Sequence, residues 1–167
     1  TLFRSGNDIA LVSDAGMPCI SDPGYIIVEK AINMGIDVIP VPGPTALMSA
    51  LVVSGLPLDR FVFEGFIPRK GKKRRQVIAN IMKEERTVII YESPYRLVNT
   101  LQDFSSIDQK RRIAVIREIT KIHEEKIYGT VEQVLQKLTN RDIKGEIVVV
   151  IEGRSKKEVE KEGWEGL

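Results

Sequence analysis

Two loops dense in glycine and proline constrain this chain more than any other feature in it. The first, SDAGMPCISDPG at residues 13–24, leaves a short apolar run at 9–12. The second, PVPGPTA at residues 40–46, leaves another at 37–41. Each pattern predicts a buried strand that empties into a rigid turn and then starts a helix. In an α/β sheet, small ligands bind beyond the carboxyl ends of such strands. Proline fixes φ and removes a donor, while Gly16, Gly24 and Gly43 allow the backbone to approach a neighbour closely. Two such loops predict a ligand held largely by main chain.

The rest of the chain can be read around those loops. A helix is expected at 25–34, with Gly35 as its stop, and a second at 45–54. This strand–helix–strand–helix series predicts parallel pairing. The stretch Gly55-Leu-Pro-Leu-Asp-Arg60 interrupts it, so we expect a first domain at 1–57, a second at 58–153 and a charged tail at 154–167. In the second domain the pattern predicts strands at 61–66, 87–91, 113–117 and 147–151, with an extended stretch at 124–128. Helices are expected at 72–85, 95–104 and 130–138, the last capped by Thr130.

Composition narrows the function classes. The chain has 167 residues, 43% apolar and 29% charged, enough for one good core or two small ones. Its formal net charge of +2 does not by itself require a polyanion. A single cysteine, Cys19, rules out an internal disulfide and fits a reducing compartment. No run approaches the ~18 apolar residues of a membrane span, and no signal-peptide plan opens the sequence. A cytoplasmic protein is expected. One histidine, His123, and one cysteine predict no metal site.

The two loops are followed by LPLDRFVFEGFIPRK, YESPYR, REITKIHEE and KGEIVVVIEG, in that order. Together these motifs resemble the bacterial 16S ribosomal RNA (cytidine-2′-O)-methyltransferase I family, a branch of the tetrapyrrole (corrin/porphyrin) methylases. The resemblance runs from about Gly6 to Gly153. It implies two α/β domains with a cleft for S-adenosyl-L-methionine between them. The family begins with a further strand, a Pro-Ile-Gly-Asn-Leu-type loop and a Cys-Glu-Asp-Thr-Arg-type motif, none of which is present. The chain thus resembles the last two-thirds of a member with its first domain incomplete, and little activity is expected of it alone.

The resemblance also assigns roles. It puts Asp14, Ala15, Gly16, Pro18, Ser21, Asp22 and Pro23 beside the methionine part and ribose of the cofactor. Pro42, Gly43, Pro44 and Thr45 are expected in the cleft wall, and Gly145 with Glu146 near the adenine. Backbone N–H groups at helix starts suit a carboxylate. Asp22 alternatively caps the helix near Tyr25, and Gly145-Glu146 alternatively forms an ordinary turn. Glu92, Glu118 and Lys121 are candidates for the catalytic machinery, with Thr120 and Glu124 as further polar groups. At the YESPYR motif, Glu92 or Arg96 is expected in the cleft, the alternative being a helix start capped by Ser93.

Finally, Arg69, Lys70, Lys72, Lys73, Arg74 and Arg75 place six cations in seven positions without an acid. A helix N-terminus disfavours cations, so a phosphate partner would offset the arrangement. The expected partner is 16S ribosomal RNA in the small subunit, contacted through its backbone, with Arg96 as a further contact. A homodimer is also expected. Tetrapyrrole C-methylation, or a fragment that keeps only the fold, are the alternatives.

Overall fold

A computed structural model describes residues 6–154. Beyond Arg154 the expected charged tail lies outside the described residues. Contacts divide the chain into two compact units, Thr1–Ala46 and Leu47–Leu167. The division falls before the boundary expected after residue 57.

In the first unit, α1 spans Tyr25–Asn33. Its end follows the sequence signal. Ile36 N–H bonds to Ala31 O and Gly35 N–H to Ile32 O, both at 3.0 Å, the paired bonds of a Schellman stop. The start differs from expectation, because the N-cap is Gly24 and no side chain caps the helix. Asp22 therefore does not act as the cap. Gly24 has φ +152°, and a Cβ there would lie 2.6 Å from Cys19 Sγ and 2.9 Å from Leu11 Cδ2.

The strands expected at 9–12 and 37–41 are not formed. A strand is stable only in a ladder, and among the described residues no segment pairs with either run. Val12, Ile39 and Val41 accordingly stand about 80% exposed.

The second unit opens with α2 (Ala46–Val52), shorter than the helix expected at 45–54. A five-stranded sheet follows, in the order β1-β2-β5-β3-β4. Its strands are β1 (Phe61–Phe66), β2 (Thr87–Glu92), β3 (Arg112–Arg117), β4 (Glu125–Thr130) and β5 (Ile147–Ile151). Strands β1 and β2 are parallel, joined through α3 (Gly71–Lys83). Strand β5 lies antiparallel between β2 and β3, and β3 is antiparallel to β4. All five residues of β5, Ile-Val-Val-Val-Ile, are buried, as a strand covered on both faces requires.

One sheet face carries the core. Val88, Ile90, Ile113, Val115, Val149 and Ile151 meet Ile78 and Ile81 of α3, Leu101 and Phe104 of α4 (Leu97–Ser105), and Val134 and Leu138 of α5 (Val131–Leu138). Thr130 caps α5 in a full capping box with Gln133. The other face holds Ile89, Ala114, Ile116 and Val150, all fully buried. Residues of that face also bind the segment after α2. Tyr128 OH donates to Val53 O (2.9 Å), Arg112 to Gly55 O (3.0 Å) and Thr87 to Pro57 O (2.7 Å). These bonds hold the segment after α2 to the sheet.

A polar network crosses the carboxyl end of β2. Thr100, fully buried on α4, donates to Glu92 Oε2 at 2.6 Å and accepts from Arg74 of α3 at 3.0 Å. Bonds to charged partners contribute about 1.5–3 kcal/mol each. Thr100→Val removes both while keeping the shape. We expect it to lower stability by about 2 kcal/mol in urea unfolding; a loss below about 0.5 kcal/mol would contradict the role given to this network.

Candidate functional site

In the first unit the two loops close on one another. A Cβ at Gly16 would lie 3.1 Å from Pro44 O, and one at Gly43 would lie 3.4 Å from Met17 Cγ. Ser13 Oγ donates to Gly16 O at 2.8 Å and holds the first turn. Cys19 and Ser21 take positive φ, 69° and 60°, a strained conformation for residues with a Cβ. Beside the loops lies a cavity of about 1020 Å³, with Gly16, Met17, Pro18, Pro42 and Gly43 in its wall. Asp14, Ala15, Ser21, Asp22, Pro23, Pro44 and Thr45 do not line it. Much of its wall is apolar, with Leu11, Ile27, Ala31 and Ile36 among its lining. Its polar lining includes Asn7 and Ser13, with Asp8 and Asp37 as its carboxylates.

In the second unit, Glu118, Lys121, Gly145 and Glu146 come together at the carboxyl end of β3. Lys121 Nζ lies 3.1 Å from Glu118 Oε1 and 3.0 Å from Glu146 Oε2. Glu146 N–H donates to Glu118 Oε1 at 2.7 Å. That bond first, and the Lys121 ammonium second, hold the Glu118 carboxyl below its ordinary pKa. The Glu146 and Glu118 carboxylates in turn raise the pKa of Lys121. Two donors thus engage Glu118 Oε1, and the Lys121 ammonium bridges both carboxylates.

The local backbone explains the cluster. Glu118 and Thr120 have φ of +49° and +65°, folding the chain back after β3. Gly145 has φ +91°, and a Cβ there would lie 2.5 Å from the Glu118 carboxyl. The positive φ favours glycine there, and a side chain would also displace the end of Glu118. Glu124 Oε2 accepts from Thr120 N–H at 2.6 Å and closes the loop. His123 is exposed and lines a separate cavity of about 230 Å³ with Arg117, Glu125 and Arg141.

Glu92 departs from expectation. It does not face a cleft, because its side chain is fully buried and its oxygens are taken by Arg96 (2.6 Å), Ser93 N–H (2.7 Å) and Thr100. Ser93 does not cap α4; the N-cap is Arg96, without a side-chain cap bond. Arg96 is committed to Glu92 and to Ile67 O at 3.1 Å, which leaves little of it for a nucleic acid.

The basic run divides in two. Arg74 turns inward, pairing with Asp103 at 2.6 Å and bonding Thr100 and Pro68 O. Arg69, Lys70, Lys72, Lys73 and Arg75 are exposed, and have no hydrogen bond or ion pair among the described residues. They surround the start of α3, whose first turn contains no acid and whose N-cap, Lys70, makes no side-chain cap bond. A signal for the inward turn of Arg74 was available in Asp103, but only the fold brings the two together.

The Glu118 cluster gives a pH dependence whose sign follows from the lowered pKa. Its bonds are complete above the ordinary glutamate value of about 4.3 and are lost only as pH falls through the lower folded value. The Glu146 amide shift, followed by NMR, should therefore hold steady through pH 4.3 and change below it. A midpoint at or above the ordinary value would contradict the arrangement.

Comparison with known proteins follows the same outline. Residues 1–135 match the profile of the family described as Tetrapyrrole (Corrin/Porphyrin) Methylases. A ribosomal RNA small subunit methyltransferase I of Halalkalibacterium halodurans is 48% identical over 163 residues, covering 97% of this chain and 56% of that protein. Its counterpart in Thermotoga maritima is 46% identical over 153 residues, covering 92% and 68%. The chain thus spans roughly half to two-thirds of these relatives. Among solved structures, a cobalt precorrin-4 methyltransferase of cobalamin biosynthesis superposes with a TM-score of 0.61 at 15% identity, over 82% of this chain and 61% of that one. The uroporphyrin-III C-methyl transferase of Thermus thermophilus, complexed with S-adenyl homocysteine, gives 0.54 at 16%, over 81% and 62%. At such identities the likeness is one of fold.

Proposed function

The chain belongs to the tetrapyrrole (corrin/porphyrin) methylase family, with close relatives among the ribosomal RNA small subunit methyltransferases I, and from that premise we propose that it serves S-adenosylmethionine-dependent methylation of a cytidine ribose 2′-oxygen in small-subunit ribosomal RNA. The reading includes a cytoplasmic location, 16S RNA within the small subunit as substrate, and a homodimer.

The first unit fits the cofactor. Its cavity is large enough for a nucleoside with an amino-acid tail, and its wall of glycine and proline offers main chain at close range. Gly16 is the position where a side chain would press on the backbone of the second loop. When bound, S-adenosylmethionine supplies a methyl group on a positively charged sulfur, open to attack by an oxygen nucleophile. The chain's part is then to bind, orient and exclude water, since holding two reactants in line contributes much of such a barrier. The positive φ at Cys19 and Ser21 persists because the surrounding loop contacts impose it.

The Glu118–Lys121–Glu146 cluster takes a positioning role. It locks the loop after β3 to the turn before β5, one ammonium bridging two carboxylates.

The observation that carries the RNA reading is the set of five exposed cations around the α3 start. Unbalanced positive charge at the positive end of a helix dipole is unfavourable until an anion arrives. Replacing Lys70, Lys72, Lys73 and Arg75 together with alanine should weaken RNA binding. Each lost phosphate contact should flatten the log–log salt dependence by about 0.7 to 0.9. The measurement is a salt titration of RNA affinity for the original and the quadruple variant; parallel lines would show the patch to be merely solvated.

A further inference from the structure

Strand β1 is irregular at the point where it leaves the sheet. Its register with β2 shifts between Phe63 and Gly65, so that Phe63 pairs with Ile89 and Phe66 with Tyr91. In a regular strand, residues three apart point to opposite faces. Here the extra residue returns Phe66 to the face of Phe63, and both rings meet Tyr91 edge-on. The centroid distances are 4.9 Å for Phe63 and 5.7 Å for Phe66. Bulges of this kind re-aim side chains next to functional sites.

The re-aimed ring is not used to build core. Phe66 remains 55% exposed. Tyr95, just past the end of the parallel neighbour β2, is 92% exposed. The bond from Arg96 to Ile67 O at 3.1 Å ties the residues that follow the two rings to one another. Two large aromatic rings thus stand in water at the same end of adjacent strands. Leaving such rings unburied forgoes hydrophobic stabilisation. The next residues along the chain are Pro68, Arg69 and Lys70, where the unpaired cations begin.

We propose that Phe66 and Tyr95 form a stacking platform for unpaired bases of the RNA strand whose phosphates lie on Arg69, Lys70, Lys72, Lys73 and Arg75. The proposal rests on the RNA reading above and deepens it by naming single-stranded RNA as the form bound. Cations beside exposed aromatic rings are the combination that binds single strands. The charges follow the backbone, and the rings take any base by its face. A duplex keeps its bases stacked on one another and leaves such rings unfilled. The low aromatic content of the chain is no obstacle, since a platform for one or two bases needs only these two rings.

The test compares two ligands of equal length and charge, oligocytidylate and its abasic ribose-phosphate counterpart, by fluorescence anisotropy with the complete 167-residue chain. The original protein should favour the base-bearing strand by about fivefold to a hundredfold for each stacked base. Phe66→Leu and Tyr95→Leu should each reduce that preference, and the double variant should bind both ligands alike with the salt slope unchanged. Tyr95 is almost wholly exposed, so its replacement tests the idea without endangering the fold. Equal binding of both ligands by the original protein, or a preference that survives in the double variant, would overturn the platform while leaving the phosphate contacts in place. Binding of neither ligand would overturn the RNA reading, and the platform with it.

Discussion

The second unit depends on one buried carboxylate. Glu92 ends β2 with its side chain wholly out of water, which is costly unless every lone pair finds a donor. The donors arrive from three directions. Ser93 supplies its own N–H, α4 supplies the Thr100 hydroxyl, and Arg96 supplies a guanidinium that also holds Ile67 O behind β1. Through Thr100 the network reaches Arg74, and through Arg74 it reaches Asp103. The chain after β1, the start of α3, the end of β2 and the body of α4 are thereby fixed to one another. Everything proposed for RNA is mounted on that junction: Phe66 and Tyr95 each precede a residue of the Arg96–Ile67 bond, and the cations without a partner among the described residues follow at the start of α3.

This explains why a basic run does not act as a unit. From sequence, Arg74 and Arg96 are indistinguishable from their neighbours as phosphate ligands. In the structure they neutralise Asp103 and Glu92, and removing either would leave a buried or half-buried acid without its partner. The division also separates two kinds of lysine. Lys121 has its charge matched by Glu118 and Glu146, whereas Lys70, Lys72 and Lys73 have no such match among the described residues.

What the sequence made legible was local. The β5 span, the N-cap at Thr130 and the stop at Gly35 depend on residues a few positions apart, and each stands where the pattern puts it. What it hid was pairing. The runs at 9–12 and 37–41 have strand composition, yet a strand exists only with a ladder partner, and none is available among the described residues. The burial of Glu92, the inward turn of Arg74 and the bulge that re-aims Phe66 likewise depend on contacts between distant segments. The glycine and proline loops were legible for a different reason. Their composition already restricts the backbone within each loop, whereas the closing of Gly16 on Pro44 and Gly43 on Met17 joins segments far apart in sequence. Gly145 is an intermediate case: its need for glycine comes from Glu118, far away in sequence and brought beside it by the β3–β5 pairing.

The central claim is that the first unit's two loops hold the nucleoside cofactor while the exposed surface of the second unit meets RNA. It is tested most directly by mapping amide shifts of the ¹⁵N-labelled chain during titration with S-adenosylhomocysteine. The account predicts saturable shifts at Ala15, Gly16, Met17, Cys19 and Gly43, with the amides of Lys72, Lys73 and Arg75 left in place. Shifts confined to the second unit, or none in either loop at saturating ligand, would contradict it.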